Sequence, residues 1–222
     1  MVDIIYYTDP LCCWSWAMEP HWERLCGDFG DRLKVTYKMG GLLPSWTMYN
    51  DDVNSIRKPV QMGPEWMHAR HVSGMAIDDR LWITDPPASS FPACIAVKSA
   101  GLQAAHWGTR FLGLARRAVM TERKNIARRE VLMELARCLG PAFDVGLFSE
   151  DLDGRGIAAF RNDWTEVRYL GIKRFPTLVI RYPDQPAKML CGYQRYEELT
   201  GALGGAAVTV PGALSGAGPA KP

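Results

Sequence analysis

What this sequence most plainly lacks is a long apolar run. None of its 222 residues belongs to a stretch near the roughly 20 apolar residues needed to cross a bilayer. The N-terminus has neither the basic start nor the apolar core of a secretory leader, since the short "IIYY" runs at once into Asp9–Pro10. A cytoplasmic setting without membrane attachment is the expectation. Charge of one sign is also lacking: 26 Lys and Arg face 24 Asp and Glu, a net +2, which gives no reason to expect a nucleic-acid partner. Cysteine is sparse, with six in the chain. That is too few for a disulfide scaffold at this length and suits a reducing compartment, so any disulfide should be transient. There is no phosphate-binding glycine loop and no nucleophile-elbow serine. His68 and His71 lack a second Cys or His pair at ligand spacing, which argues against zinc. "DLDGRG" opens like a calcium loop, but Arg155 and Asn162 stand where oxygen ligands belong. No metal and no required cofactor are expected.

What is present alternates in kind along the chain. "VDIIYY" (2–7) is rich in β-formers, and Pro10 ends it. From Cys13 to about Phe29 apolar residues recur at near-helical spacing, with Pro20 expected to kink the helix or begin its main segment. "LKVTYKM" (33–39) reads as a second strand closed by Gly40–Gly41, so the opening is a βαβ unit. Residues 50–165 show helical patterns and no convincing strand; Ser90 ahead of Pro92 opens one of these helices. A helix over 157–170 follows, then strands at 176–182 and 187–192 joined by the turn "PDQP", then a last helix in "YEELTGAL". Past Gly204 the Gly-, Ala- and Pro-rich tail reads as disordered. The order β-α-β, helical block, α-β-β-α is that of an α/β thioredoxin fold with a large all-helical insertion. The expected division is 1–48 with 166–203 as the thioredoxin-fold domain, 49–165 as the inserted helical domain, and 204–222 as the tail.

"YYTDPLCCWSWAMEP" resembles the active-site opening of DsbA-like, FrnE-type oxidoreductases, and "GIKRFPTLVI" is similar to their cis-proline signature. "GMAIDDRLWITDPPASSFPACIAVKSAGLQ" and "KNIARREVLMELARCLG" resemble the helical insertion of the same family. The resemblance places Cys12 as nucleophile, Cys13 and Trp14 between the motif ends, Ser15 where the resolving cysteine stands, and Pro176 as the cis-proline. It implies a cytoplasmic thiol–disulfide oxidoreductase or isomerase acting on a protein or small-molecule disulfide.

The chemistry can be weighed residue by residue. At a helix N-terminus the Cys12 thiol pKa is expected to fall to roughly 3.5–7.5. A hydroxyl cannot leave in disulfide exchange, so Ser15 cannot resolve a mixed disulfide; it could donate to the Cys12 thiolate or serve as the helix cap. Adjacent Cα atoms lie about 3.8 Å apart, short of the roughly 4.4 Å an unstrained disulfide needs, so a Cys12–Cys13 bond would be strained. The vicinal pair could instead hold a soft metal or metalloid. Cys26 is about 21 Å along the helix and out of reach, and Cys94, Cys138 and Cys191 are assigned to core packing. A monothiol mechanism follows, resolved by glutathione, another low-molecular-weight thiol, or a substrate thiol. Phe175 would offer its backbone to an extended substrate beside Thr177, and Trp14, Trp16, Trp82 and Phe91 would form an apolar wall. Residues 110–137 hold eight Lys or Arg against three Glu, a solvated face or a site for an acidic protein partner. Two other functions compete: a non-catalytic protein-binding adaptor, and a kappa-class glutathione transferase-like enzyme, whose family uses serine at the first motif position. The sequence leaves open whether the chain forms a homodimer.

Overall fold

The computed structural model describes residues 1–49, 55–183 and 185–204; the expected disordered tail, and Asp184 of the expected turn, lie outside them. Four strands form one mixed sheet: β1 (Val2–Thr8), β2 (Leu33–Met39), β3 (Thr177–Arg181) and β4 (Lys188–Cys191). Their order is β2-β1-β3-β4, with β1 parallel to β2 and antiparallel to β3, and β3 antiparallel to β4. Tyr7 lies opposite Thr177, and Thr177 opposite Cys191, so the end of β1 and the start of β3 meet at one sheet end.

Strand alternation sends side chains to two buried faces. Ile4, Tyr6, Leu178 and Ile180 pack on one side against Met18, Trp22 and Leu25 of α1 (Cys13–Phe29) and Leu199 of α9 (Tyr196–Leu203). Ile5, Tyr7 and Val179 face the other way, onto Val167 of α8 (Arg155–Tyr169). Helix α1 continues through Pro20 and so does not begin there.

Between β2 and α8 the described residues form helices joined by loops, with no strand among them: α2 (Met62–Ser73), α3 (Leu81–Thr84), α4 (Phe91–Gln103), α5 (Ala105–Thr121), α6 (Arg129–Arg137) and α7 (Val145–Leu152). They enclose a second core around Trp66, Trp82, Phe111 and Phe148. This is a thioredoxin fold carrying a helical insertion. Helix α8 is continuous across residues 165 and 166 and ties the two parts together. Its buried Asp163 accepts the Met39 N–H at 3.0 Å and pairs with Lys38 of β2 at 3.2 Å and Lys98 of α4 at 2.8 Å. Among the described residues no helix is long and apolar enough to cross a membrane.

Ser90 opens α4 as expected, in the N-cap position, but its hydroxyl is turned elsewhere: it donates to Asp9 at 2.9 Å and accepts the Leu43 N–H at 3.1 Å. Two local expectations are corrected. Cys94 is buried, whereas Cys138 and Cys191 are exposed rather than core. Five of the eight basic residues at 110–137 pair with carboxylates of this chain: Arg116 with Glu19, Arg123 with Asp78, Lys124 with Glu122 and Glu134, Arg128 with Asp85 and Glu130, Arg129 with Asp153. Much of that surplus charge is thus matched within the chain, as on a solvated face.

Candidate active site

Asp9 organises the turn from β1 into α1. Fully buried, its carboxylate accepts the Leu11 N–H at 2.8 Å, the Leu42 N–H at 2.7 Å, the Ser90 hydroxyl at 2.9 Å and the Cys94 thiol at 3.2 Å. Burial pushes its pKa up, and the two backbone N–H bonds pull it back. This pins the turn so that Cys12 becomes the N-cap of α1, its sulfur accepting the Ser15 N–H at 3.4 Å. Ser15 is therefore not the cap; it is the third residue of the first turn, with its buried hydroxyl accepting the Thr8 hydroxyl at 2.9 Å.

The second wall is the segment before β3. The Phe175–Pro176 bond is cis, and the Phe175 carbonyl accepts the Cys12 thiol at 3.2 Å. Gly40, at the exit of β2, makes room for that arrangement. A Cβ there would fall 2.1 Å from Cζ of the Phe175 ring, so only hydrogen fits.

Cys12 and Phe175 lie at the floor of a cavity of about 920 Å³, which Cys13, Trp14 and Tyr193 also line, a volume within the range of small-ligand sites. The Trp14 indole N–H donates to Glu65, and its ring meets His68 edge-on with centroids 5.2 Å apart. Exposed Arg168, Lys173 and Arg174 stand along another part of the lining. Pro176 and Thr177 are buried behind the lip, with the Thr177 hydroxyl bonded to the Arg174 carbonyl at 2.8 Å. Trp82 and Phe91 are not brought to the wall: Trp82 packs edge-on against Trp66 in the helical core, and Phe91 against Phe160 and Trp164. Trp16 also lies off this cavity, its indole donating to the Ala76 carbonyl at 3.0 Å.

The expected fall in the Cys12 pKa is reversed. Cys12 is 4% exposed, and this burial pushes the thiol up; hydrogen bonding from Ser15 lowers it, Asp9 raises it and Arg116 lowers it, leaving the net direction upward. Burial pushes Cys13 higher still. Cys12 thus rests as a thiol donating to Phe175. Because the thiolate is the nucleophile, alkylation of Cys12 should be slow at neutral pH and climb only above the ordinary thiol range. Peptide mass spectrometry across a pH series checks this, with exposed Cys138 as internal comparison; labelling of Cys12 that is fast at acidic pH would refute it.

Sequence reasoning missed Asp9, Thr8, Gly40, Glu65, Tyr193 and Arg116. Of these, Thr8 and Asp9 stand in the quoted cysteine motif and Gly40 in the strand-ending pair without their roles being read, and Arg116 left a signal as a charge set in the apolar stripe of Leu112, Ala115 and Val119.

The chain belongs to the thioredoxin family, whose model, described as Thioredoxin, matches residues 6–200. A ClpXP adapter protein SpxH from Halalkalibacterium halodurans is 28% identical over 179 residues, covering 80% of this chain but 58% of the adapter. The chain thus spans under two thirds of the length of that relative. Among solved structures, one described as a disulfide isomerase from Nitrosomonas europaea aligns with a TM-score of 0.75 at 21% identity, covering 91% of this chain and 95% of that one. The cytosolic disulfide reductase DsbM from Pseudomonas aeruginosa, solved with GSH, aligns with a TM-score of 0.62 at 23% identity over 85% and 89% of the two chains.

Proposed function

We propose that this chain is a cytoplasmic thiol–disulfide oxidoreductase or isomerase of the DsbA-like, FrnE-type group, working through Cys12 as a single thiol. The observation that carries the reading is the position of the Cys12 sulfur. It lies between the first turn of α1 and the carbonyl before a cis-proline, on the floor of a ligand-sized cavity. Once its proton is lost, the thiolate attacks one sulfur of a substrate disulfide, forms a mixed disulfide and expels the other sulfur as a thiolate. A second thiolate then attacks the substrate sulfur of that mixed disulfide. Cys12 leaves as thiolate with the pair of the broken S–S bond; the incoming thiol is oxidised into the new disulfide, and the two electrons given up rest on the substrate sulfur expelled in the first step. No second thiol occupies position 15, so the resolving thiol comes from outside. Glutathione fits this part: the basic lining at Arg168, Lys173 and Arg174 suits its carboxylates, and the similar DsbM was solved with GSH.

The mass of Cys12 after incubation with oxidised glutathione tests the mechanism. One stable glutathione adduct on Cys12 is the expected result. Loss of two protons from the protein would reveal an internal partner and end the monothiol reading; no change at all would end the enzymatic one.

A second reading, a protein-binding adaptor, is favoured by two observations: the curated relative is a ClpXP adapter, and Cys12 is covered and protonated at rest. Under it, Cys12→Ser would leave partner capture intact.

A further inference from the structure

Arg116, on α5 of the insertion, has no exposed surface. It is a buried cation reaching out of one core into another. One arm of its guanidinium donates to Glu19 and the other to the hydroxyl of Thr8, while its Nε has no partner. A buried guanidinium with an orphaned N–H is costly to stability, and its place beneath the β1–α1 turn points to a role beyond packing. Arg can only donate hydrogen bonds. Thr8 Oγ1 must therefore accept from Arg116, and its own proton goes on to Ser15 Oγ at 2.9 Å. Ser15 Oγ, having accepted, has its own proton left to give, its backbone N–H reaches the Cys12 sulfur at 3.4 Å, and its side chain acts to lower the Cys12 thiol pKa.

We propose that Arg116 is a positioning residue: by fixing the direction of the Thr8–Ser15 hydrogen bonds it holds the Ser15 hydroxyl as a donor to the Cys12 thiolate. This rests on the single-thiol reading above and gives Ser15 a definite task in it, holding the anion rather than resolving the disulfide. The other groups around the sulfur are accounted for. Asp9 of the β1–α1 turn opposes the anion, the buried Tyr6 of β1 keeps its phenol proton, Glu19 of α1 is taken up by Arg116, and Glu65 of α2 bears on Cys13. Phe175 offers only a carbonyl, and the cations at 168, 173 and 174 stand at the cavity lining.

The test is the pH midpoint of Cys12 alkylation, read on the Cys12 peptide by mass spectrometry in folded full-length protein. Thr8→Val breaks the chain of donors while leaving Arg116 in place; it is expected to raise the midpoint by about one pH unit, tenfold less thiolate at a given pH below it. Ser15→Ala should match it, and Thr8→Ser, which keeps the hydroxyl, should restore the original midpoint. Arg116→Met should raise the midpoint at least as far; because it could also unfold the protein, the two smaller variants decide. Thr8→Val and Ser15→Ala variants that melt normally and titrate at the original midpoint would overturn the proposal. A wild type that takes no glutathione adduct would sink the single-thiol reading while leaving this midpoint comparison intact.

Discussion

Cys12→Ser is expected to abolish disulfide exchange, leaving the rate that glutathione achieves unaided, a loss on the order of 10³-fold or more. The substitution removes one sulfur, and a serine can still cap α1, so the melting temperature should hardly move. Turnover of a mixed disulfide with excess glutathione measures it. Persisting turnover would show that Cys12 is not the nucleophile. The reciprocal variant is as telling. Ser15→Cys places a thiol on the first helical turn, where the residue-15 N–H already sits 3.4 Å from the Cys12 sulfur. Oxidised glutathione should then leave an internal disulfide, two protons lighter, in place of the adduct.

The largest expected effect on stability is at Asp9. Asp9→Ala leaves the buried Leu11 N–H and the half-buried Leu42 N–H without their acceptor, along with the buried Ser90 hydroxyl. At about 1–3 kcal/mol for each orphaned donor, partly relieved by water, a loss of about 3–5 kcal/mol is expected in urea unfolding. The pH dependence has a defined sign. The folded-state pKa of Asp9 is raised by burial, so the folded chain holds this proton more tightly than the unfolded one. Its contribution is complete below the unfolded carboxyl value and is lost as pH rises through the folded value. Asp9→Asn cannot ionise, so the stability of wild type relative to it should decline as pH rises through that window. A difference that grows more favourable to wild type with rising pH would contradict the assignment.

The same carboxylate shows where sequence reading reaches its limit. Strand periodicity in "VDIIYY" and "LKVTYKM", and the helical spacing around Trp22, are local, and the elements they imply are the ones that formed. Cys12 and Pro176 were legible because a short motif carries them. Asp9 stands in the same motif, but its role was not legible, since it comes from Leu42 past β2 and from Ser90 and Cys94 of the insertion, which only the closed chain brings to it. The direction of the Cys12 pKa failed for a related reason. A helix N-terminus is visible in sequence and favours the anion, whereas the burial that outweighs it depends on how Phe175 and the cavity close over the sulfur. Trp82 and Phe91 failed because aromatic residues look the same on a line of text whether they wall a cleft or fill a core.

Position 40 carries one more implication. The carbonyl that meets the sulfur belongs to an aromatic residue seated against the bare backbone at the exit of β2. Those two pieces come from opposite ends of the inserted block. The surroundings of the Cys12 sulfur are therefore complete only where the polypeptide on both sides of that block is docked, and whatever loosens either junction uncovers the thiol.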